Sequence, residues 1–198
     1  MNWDERYAVG DTPWDLGGAV PLLVDALEGG LLGTPGRALV PGCGRAYDAG
    51  ALARAGWSVT AVDESPLAVA DARALQPMVD VVLGDALDPT LALARTGGPV
   101  DLLWDHTFFC ALDLDLRPAV GEFARAVVAP GGLVASGVFP IGRHDGAGPP
   151  HSYETDDMSG ILGEEFGLIH LGPEHASFQD RFPDFRTRLA IWRRGPRS

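Results

Sequence analysis

The chain has 198 residues, of which 46% are hydrophobic, and its 27 acidic and 15 basic residues give a net charge of −12 at pH 7. This length and apolar content predict a single globular domain over residues 1–198 and argue against a disordered chain. The acidic balance disfavours nucleic acid and anionic membranes as partners, because both bind basic surfaces.

The sequence also lacks signs of a membrane span, an export signal or a metal site. No apolar run reaches the roughly 20 residues that cross a bilayer, and residues 1–6 do not resemble a signal peptide. The spacing of Cys43 and Cys110 fits neither a metal site nor a disulfide framework. We therefore expect a cytoplasmic monomer or homodimer that holds no metal.

Short apolar runs alternate with longer helical stretches over residues 37–139. Strands are predicted at 37–40, 57–63, 79–83, 100–104 and 133–139. Helices are predicted at 45–55, from 65 onward, from 88 to about 97, and at about 116–128. Two of these helices have an N-cap followed by proline, in Ser65-Pro66 and Asp88-Pro89. The alternation indicates βαβ units and a parallel sheet.

The C-terminal part follows a different pattern. Residues 140–155 are rich in Gly, Pro and His and predict a long loop, followed by a helix at 156–165. Two alternating runs, 168–171 and 186–192, have no helix between them and predict an antiparallel hairpin. The predicted fold is α/β and Rossmann-like: a mostly parallel seven-stranded sheet with a C-terminal antiparallel hairpin and helices on both faces.

A glycine-rich turn follows the first predicted strand, in Pro41-Gly42-Cys43-Gly44. Gly42 and Gly44 let a ligand approach the backbone, and the next helix offers free amide donors. Asp63 ends the second strand, where an acid accepts hydrogen bonds from ribose hydroxyls. A nucleoside cofactor is therefore predicted. The alternative is an ordinary tight turn beside a solvated Asp63.

The residue at position 47 helps to identify the nucleotide. A dinucleotide fingerprint, G-x-G-x-x-G, would place its third glycine there, but the residue is Tyr47. A tyrosine conflicts with the close helix–strand packing that this glycine permits. We therefore predict S-adenosylmethionine, which has an adenosine for the acid and an amino-acid end for the glycine turn, and disfavour an NAD-dependent reductase.

Two more acids follow predicted strands three and four. In open α/β sheets, ligands bind at the carboxyl ends of the strands, so these acids are expected to share a rim with Asp63. Asp85 is predicted to accept from the adenine amino group while the Ala86 amide donates to a ring nitrogen. Asp105 is predicted to hold the ammonium group of the methionine moiety. For each acid alone, a turn or helix cap is the alternative.

Several elements resemble the thiopurine methyltransferase family, including its halide and thiol methyltransferase branch. The first is Gly10-Asp11-Thr12-Pro13-Trp14-Asp15-Leu16-Gly17, similar to G-x-T-P-W-D-x-G. The second is 39–48, similar to L-V-P-G-C-G-x-G-x-D with Ala46 in place of a common glycine. The third is 105–112, similar to D-x-x-F-F-C-A-[IL], and 188–194 resembles the closing strand. The resemblance implies a class I methyltransferase dependent on S-adenosylmethionine (EC 2.1.1).

The resemblance also implies a role for the N-terminal segment. Trp3, Tyr7 and Trp14 lie where the plant halide and thiol branch has three tryptophans that close over the cofactor. Residues 1–20 are therefore expected to form a cofactor-covering arm, and aromatic faces beside a sulfonium gain about 0.5–2 kcal/mol per contact. The alternative is that these rings only pin the arm to the core.

The implied reaction is in-line methyl transfer to a small soft nucleophile: a thiol, sulfide, thiopurine or halide. Such nucleophiles need little help from a base, so we name no catalytic residue, and His106, His144 and His151 stay candidates. The predicted substrate contacts are Phe108, Phe109, Phe139, Arg143 and His144. Phe139 stands where the halide branch commonly has tyrosine, which favours thiols or sulfide.

Two other functions remain open. The first is a small-molecule O- or N-methyltransferase, which would need a base near the methyl group, such as His106 or His144. The second is a non-catalytic sensor that binds S-adenosylmethionine without forming a product.

Overall fold

The structure, a computed structural model, describes residues 2–142, 148–178 and 183–196. Within these ranges the strands are β1 (Arg37–Pro41), β2 (Ser58–Asp63), β3 (Asp80–Leu83), β4 (Val100–His106), β5 (Val128–Ile141), β6 (Phe166–Leu171), β7 (His175–Ala176) and β8 (Arg186–Arg194). The helices are α1 (Trp3–Ala8), α2 (Pro21–Glu28), α3 (Tyr47–Arg54), α4 (Pro66–Leu75), α5 (Pro89–Thr96), α6 (Arg117–Val127) and α7 (Thr155–Leu162).

All strands belong to one sheet, in the order β3-β2-β1-β4-β5-β8-β6, with the two-residue β7 also paired to β8. Strands β1 to β5 are parallel, and β8 runs antiparallel to both β5 and β6. This confirms the α/β fold and its antiparallel C-terminal part. Because of β7, the sheet has eight strands in the described ranges and not seven, and β8 lies between β5 and β6.

Buried side chains form a layer on each face of the sheet. The first layer includes Leu23, Trp57 and Trp104 and lies under α2, α3 and α4. The second includes Phe123 and Trp192 and lies under α5, α6 and α7. Helices on both faces were predicted, because parallel strands need cover on each side.

Local chemistry explains where several elements begin. Ser65 Oγ accepts from the Ala68 amide, and Pro66 opens α4, as predicted. Asp88 Oδ1 accepts from the amides of Thr90 and Leu91 at the start of α5, also as predicted.

Other boundaries differ from the prediction. Helix α3 begins at Tyr47 and not at 45, because Ala46 has φ +57° and the helix cannot start before it. Strand β5 begins at Val128 and not at 133, because Val128 pairs with Val100 and the turn at 130–132 becomes a bulge. Helix α7 ends at Leu162 and not at 165, because Gly163 has φ +76°. Helices α1 and α2 were not predicted. No described helix is long and apolar enough to cross a membrane.

Candidate active site

The glycine turn lies where the strand order of the sheet reverses. Strand β1 pairs with β2 on one side and with β4 on the other. After β1 the chain continues outward to β2 and β3, and after β3 it crosses back to β4 on the opposite side. In open α/β sheets this switch point, beyond the carboxyl ends of the strands, is where ligands bind. A cleft opens there, lined in part by Trp14, Gly42, Gly44, Trp104 and His106.

Two aromatic residues pack directly on the turn. Gly42 and Gly44 have φ of +55° and +53°, a conformation that favours glycine. A Cβ on Gly42 would lie 2.3 Å from Cδ2 of Phe108, and one on Gly44 would lie 2.7 Å from the Tyr7 hydroxyl. Two side chains therefore pack closely on the turn, and only glycine fits at either position.

Asp63 ends β2 and ties the glycine turn to α4. Its Oδ2 accepts from the Gly44 amide at 2.8 Å, and its Oδ1 accepts from the Ser65 amide at 2.9 Å. Burial raises the pKa of Asp63. Each carboxylate oxygen can accept more than one hydrogen bond, so both retain capacity for ribose hydroxyls. The residue lies where the sequence predicted it.

The three aromatic residues of the predicted arm come together in one cluster. The Trp14 ring lies edge-on to Trp3 at 5.3 Å between centroids and to Tyr7 at 5.8 Å. The Tyr7 hydroxyl accepts from Trp14 Nε1 at 3.2 Å, and burial raises the pKa of Tyr7. The guanidinium of Arg6 lies 4.5 Å from the Trp14 ring centroid. Tyr7 and Trp14 line the cleft.

The arm is anchored to the Rossmann-like body by polar contacts. Asp4 Oδ1 accepts from Ser65 Oγ at 2.7 Å and from the Leu67 amide at 3.0 Å, so α1 docks on the start of α4. Arg45, just after the glycine turn, forms ion pairs with Asp15 of the arm and with Asp71 of α4. These contacts hold the aromatic cluster over the turn.

Asp85 and Ala86 lie in the segment after β3. Asp85 is exposed, and its Oδ1 accepts from the Leu87 amide at 2.8 Å, which is the turn-acid arrangement that the sequence left open as the alternative. Ala86 is half-buried and packs against the second core layer. The segment adjoins Asp63, because the Gly84 amide donates to the Asp63 carbonyl at 3.0 Å. Contact of these residues with adenine stays a prediction.

Asp105 lies in a buried polar network. Its Oδ2 accepts from Ser136 Oγ at 2.6 Å, and its Oδ1 accepts from the Phe109 amide at 3.0 Å. Tyr153 extends the network, with its hydroxyl 3.1 Å from Ser136 Oγ. Burial raises the pKa of Asp105. Asp105 is not among the residues that line the cleft, so its contact with the methionine ammonium stays a prediction.

The predicted substrate residues separate into two groups. Phe108 is half-buried and packs on the glycine turn at Gly42. Phe109 and Phe139 are buried in the second core layer; Phe109 lies edge-on to Tyr153 at 4.6 Å, and Phe139 lies 5.7 Å from Phe185. Arg143 and His144 lie outside the described residues.

The site passes a test of fit for S-adenosylmethionine. The turn has two glycines at which a Cβ would clash with Phe108 and Tyr7, so glycine is required at both positions. A buried carboxylate with spare acceptor capacity stands at the end of β2. Aromatic rings lie beside the turn, where they suit a cationic sulfonium. Among the described residues, no group of three or more His, Cys, Asp or Glu is placed to hold a metal.

Comparison with known proteins gives the family. The model of the family described as thiopurine S-methyltransferase matches residues 1–182. The chain belongs to the thiopurine S-methyltransferase family. A probable thiol methyltransferase 2 from Arabidopsis thaliana is 32% identical over 179 residues, which is 90% of this chain and 76% of the relative. A thiopurine S-methyltransferase from Xanthomonas campestris is 29% identical over 204 residues, covering 93% of this chain and 90% of the relative.

Solved structures share the fold of this thiopurine S-methyltransferase family member. One, from work on conversion of a disulfide bond into a thioacetal group during echinomycin biosynthesis, has a TM-score of 0.75 and 22% identity, covering 99% of this chain and 93% of the other. The N-methyltransferase NodS from Bradyrhizobium japonicum, solved with S-adenosyl-L-homocysteine, has a TM-score of 0.71 and 20% identity, covering 97% and 96%. The chain is thus a methyltransferase with the class I fold, and its cofactor is S-adenosylmethionine.

The cleft of this methyltransferase contains a polar pair that the sequence did not join. Asp48 lies in the first turn of α3, and His106 is the last residue of β4; both line the cleft. His106 Nδ1 lies 3.3 Å from Asp48 Oδ2. Asp48 closes the family element at 39–48 and His106 follows Asp105, but no spacing rule relates positions 58 residues apart in different elements. Thr107 then has φ +63°, which turns the chain so that Phe108 returns over Gly42.

Proposed function

We propose that this enzyme transfers a methyl group from S-adenosylmethionine to a small soft sulfur nucleophile, such as a thiol or sulfide. The observation that carries the proposal is the cleft itself. A bare glycine turn at Gly42 and Gly44 lies between the Tyr7–Trp14 cluster and Phe108, in a chain of the thiopurine S-methyltransferase family. The named activities of the relatives, on thiols, thiocyanate and thiopurines, agree with a soft acceptor.

Each part of the cleft has a proposed task. Asp63 would accept hydrogen bonds from the ribose hydroxyls, and the turn would face the amino-acid end of the cofactor. Asp85, Ala86 and Asp105 keep the cofactor contacts that the sequence assigned to them, as proposals. When bound, the cofactor supplies a methyl group on a cationic sulfur, beside which Trp14 would offer an aromatic face.

The acceptor would meet a small space with both apolar and polar walls. Phe108 packs on the glycine turn. Phe109, Phe139, Arg143 and His144 keep the acceptor contacts that the sequence assigned to them, as proposals. The protein's contribution to rate would be to hold the nucleophile in line with the methyl group and to exclude water. Residues 1–20 would cover the cofactor during this step, as one arm of a single domain.

The setting proposed for the enzyme follows from its chemistry. Cys43 and Cys110 are both free thiols, which suits a reducing compartment, and we place the enzyme in the cytoplasm. Its acidic surface suits a small-molecule acceptor and neither nucleic acid nor membrane. A monomer or homodimer would be sufficient, since the cleft is built from one chain.

An acceptor panel tests the proposal. Alkanethiols, sulfide, iodide, a thiopurine and a phenol are each incubated with S-adenosylmethionine, and S-adenosylhomocysteine and methylated product are both measured. Thiols and sulfide are expected to turn over fastest, and Asp63→Asn serves as the control with a damaged cofactor site. Turnover of the phenol alone would favour the O-methyltransferase alternative. The imidazole of His106 in the cleft could act as the base which that reaction needs. Cofactor binding without any product would favour the sensor.

A further inference from the structure

The Asp48 carboxylate joins three segments of the chain at the cleft. Its Oδ1 accepts from the Val20 amide at 2.8 Å, and its Oδ2 accepts from Trp104 Nε1 at 2.9 Å. His106 Nδ1 lies 3.3 Å from the same Oδ2, and the side chains of Asp48 and His106 are each 13% exposed. Two donors thus fix the carboxylate, and one nitrogen of the imidazole lies within ion-pair distance of it.

The imidazole of His106 is positioned on its other edge by a glycine. His106 pairs with Gly137 of β5, and a Cβ at that position would lie 3.3 Å from imidazole Cδ2. The ring therefore packs closely over a bare backbone position and lines the cleft with Gly42 and Tyr7. In the part of the chain that the structure describes, Nε2 forms no hydrogen bond.

This arrangement sets which nitrogen can take a proton. A carboxylate beside Nδ1 favours the tautomer with hydrogen on Nδ1 and a lone pair on Nε2. We propose that Nε2 of His106 accepts the proton of a neutral thiol acceptor, and that Asp48 is a positioning residue that holds the imidazole in that tautomer. This rests on the proposed function and adds a base to it.

The proposed step balances as follows. The S–H bond of the acceptor breaks, its proton goes to Nε2, and its electron pair forms the new sulfur–methyl bond. The methyl group's bond to the sulfonium breaks, and that electron pair remains on the leaving sulfur. The imidazolium then passes its proton to water. No oxidant or further reactant is needed, and the carboxylate of Asp48 stabilises the transient positive charge.

The charges around His106 suit an imidazolium. Asp48 on α3 lies beside Nδ1, and Asp105 precedes His106 on β4, so acidic residues of two elements surround the imidazole. Arg45 is paired with Asp15 and Asp71. The remaining titratable groups lining the cleft are Tyr47, Tyr7 and Cys43, and burial raises the pKa of the last two, so that they stay neutral.

A base matters here because most of a free thiol is protonated at neutral pH. With a pKa near 8.5, only a few per cent is thiolate at pH 7. A positioned general base typically contributes about 10²–10⁴-fold in rate. The acceptor that gains most is a thiol whose pKa lies above the working pH, which narrows the proposed substrate class to neutral alkanethiols.

The first test compares two acceptors in His106→Gln. For an alkanethiol at pH 7, kcat is expected to fall by about 10²-fold or more, whereas for an aromatic thiol already ionised at pH 7 it is expected to change by less than about threefold. The alkanethiol deficit should shrink as the pH rises above the pKa of the thiol. His170→Gln, on β6 and away from the cleft, is the matched control.

The second test does not use turnover. The ¹⁵N shifts of the His106 imidazole are measured by NMR without cofactor, in the wild type and in Asp48→Asn. Hydrogen on Nδ1 is expected in the wild type, with a shift toward the other tautomer in the variant. A wild-type imidazole with hydrogen on Nε2 would overturn the proposal, as would equal losses for both thiols in His106→Gln or no loss at all. If the wild type methylates no thiol, the proposed function itself is wrong.

Discussion

We expect Gly42→Ala to damage both the fold and the cofactor site, for two separable reasons. The first is conformational: φ is +55°, and a residue with a Cβ pays about 1–2 kcal/mol in the left-handed region. The second is steric. The added Cβ would lie 2.3 Å from Cδ2 of Phe108 and 3.0 Å from its Cγ, so the ring must move or the turn must open. Overpacking of this kind costs about 1–3 kcal/mol more.

Gly33→Ala is the matched control, because its φ is +78° and no atom lies within 4 Å of its added Cβ. Stability is measured by urea denaturation, and affinity for S-adenosylhomocysteine by titration calorimetry. Gly42→Ala should lose about 1–3 kcal/mol more stability than the control and should bind the product weakly, since overpacking displaces Phe108. Gly33→Ala should bind normally. Equal destabilisation with unchanged affinity in both variants would refute the close-packed turn.

Three further outcomes are expected. Asp63→Ala should weaken cofactor binding by about 1–3 kcal/mol, because the ribose hydroxyls would lose their hydrogen-bond acceptor. Unchanged affinity in calorimetry would contradict the cofactor site. Cofactor should slow amide hydrogen exchange over residues 2–14; equal exchange with and without cofactor would exclude a covering arm. Burial raises the folded-state pKa of Asp105 above its ordinary value of 3.8. In the pH window between 3.8 and the folded-state pKa, the folded state therefore binds more protons than the unfolded state. The free energy of unfolding should therefore rise on acidification through this window by more in the wild type than in Asp105→Asn, and parallel denaturation curves would count against it.

The main strands and the helices from α3 onward were predictable because their signals are local. Proline after Ser65 and after Asp88 marks the starts of α4 and α5 without reference to the rest of the chain. The boundary errors have a different origin. The start of α3 depends on Ala46 at φ +57°, a conformation that alanine rarely adopts and that composition does not reveal. The early start of β5 depends on pairing between Val128 and Val100, a long-range contact.

The candidate site shows the same division. Gly42, Gly44 and Asp63 were predictable because a strand–turn–helix pattern places them at one rim. The side of the sheet on which a residue falls is harder to predict near a strand end. Asp105 and Phe109 share a short segment with His106 and Phe108, yet the first two are buried, whereas His106 lines the cleft and Phe108 packs on the glycine turn. The left-handed Thr107 contributes to this split, and its conformation has no signal in the sequence.

Asp48 connects these observations physically. One carboxylate accepts from the Val20 amide at the end of the N-terminal segment and from Trp104 in the middle of the sheet, and it faces His106 in the cleft. A polar group that is nearly buried is stable only when its hydrogen-bonding capacity is used, and Asp48 uses it on partners from separate parts of the chain. Asparagine at this position could not accept from Val20 and Trp104 through separate terminal atoms, because one of its two terminal atoms is a donor. The carboxylate is therefore the chemical group that allows the arm, the sheet and the imidazole to meet at one cleft.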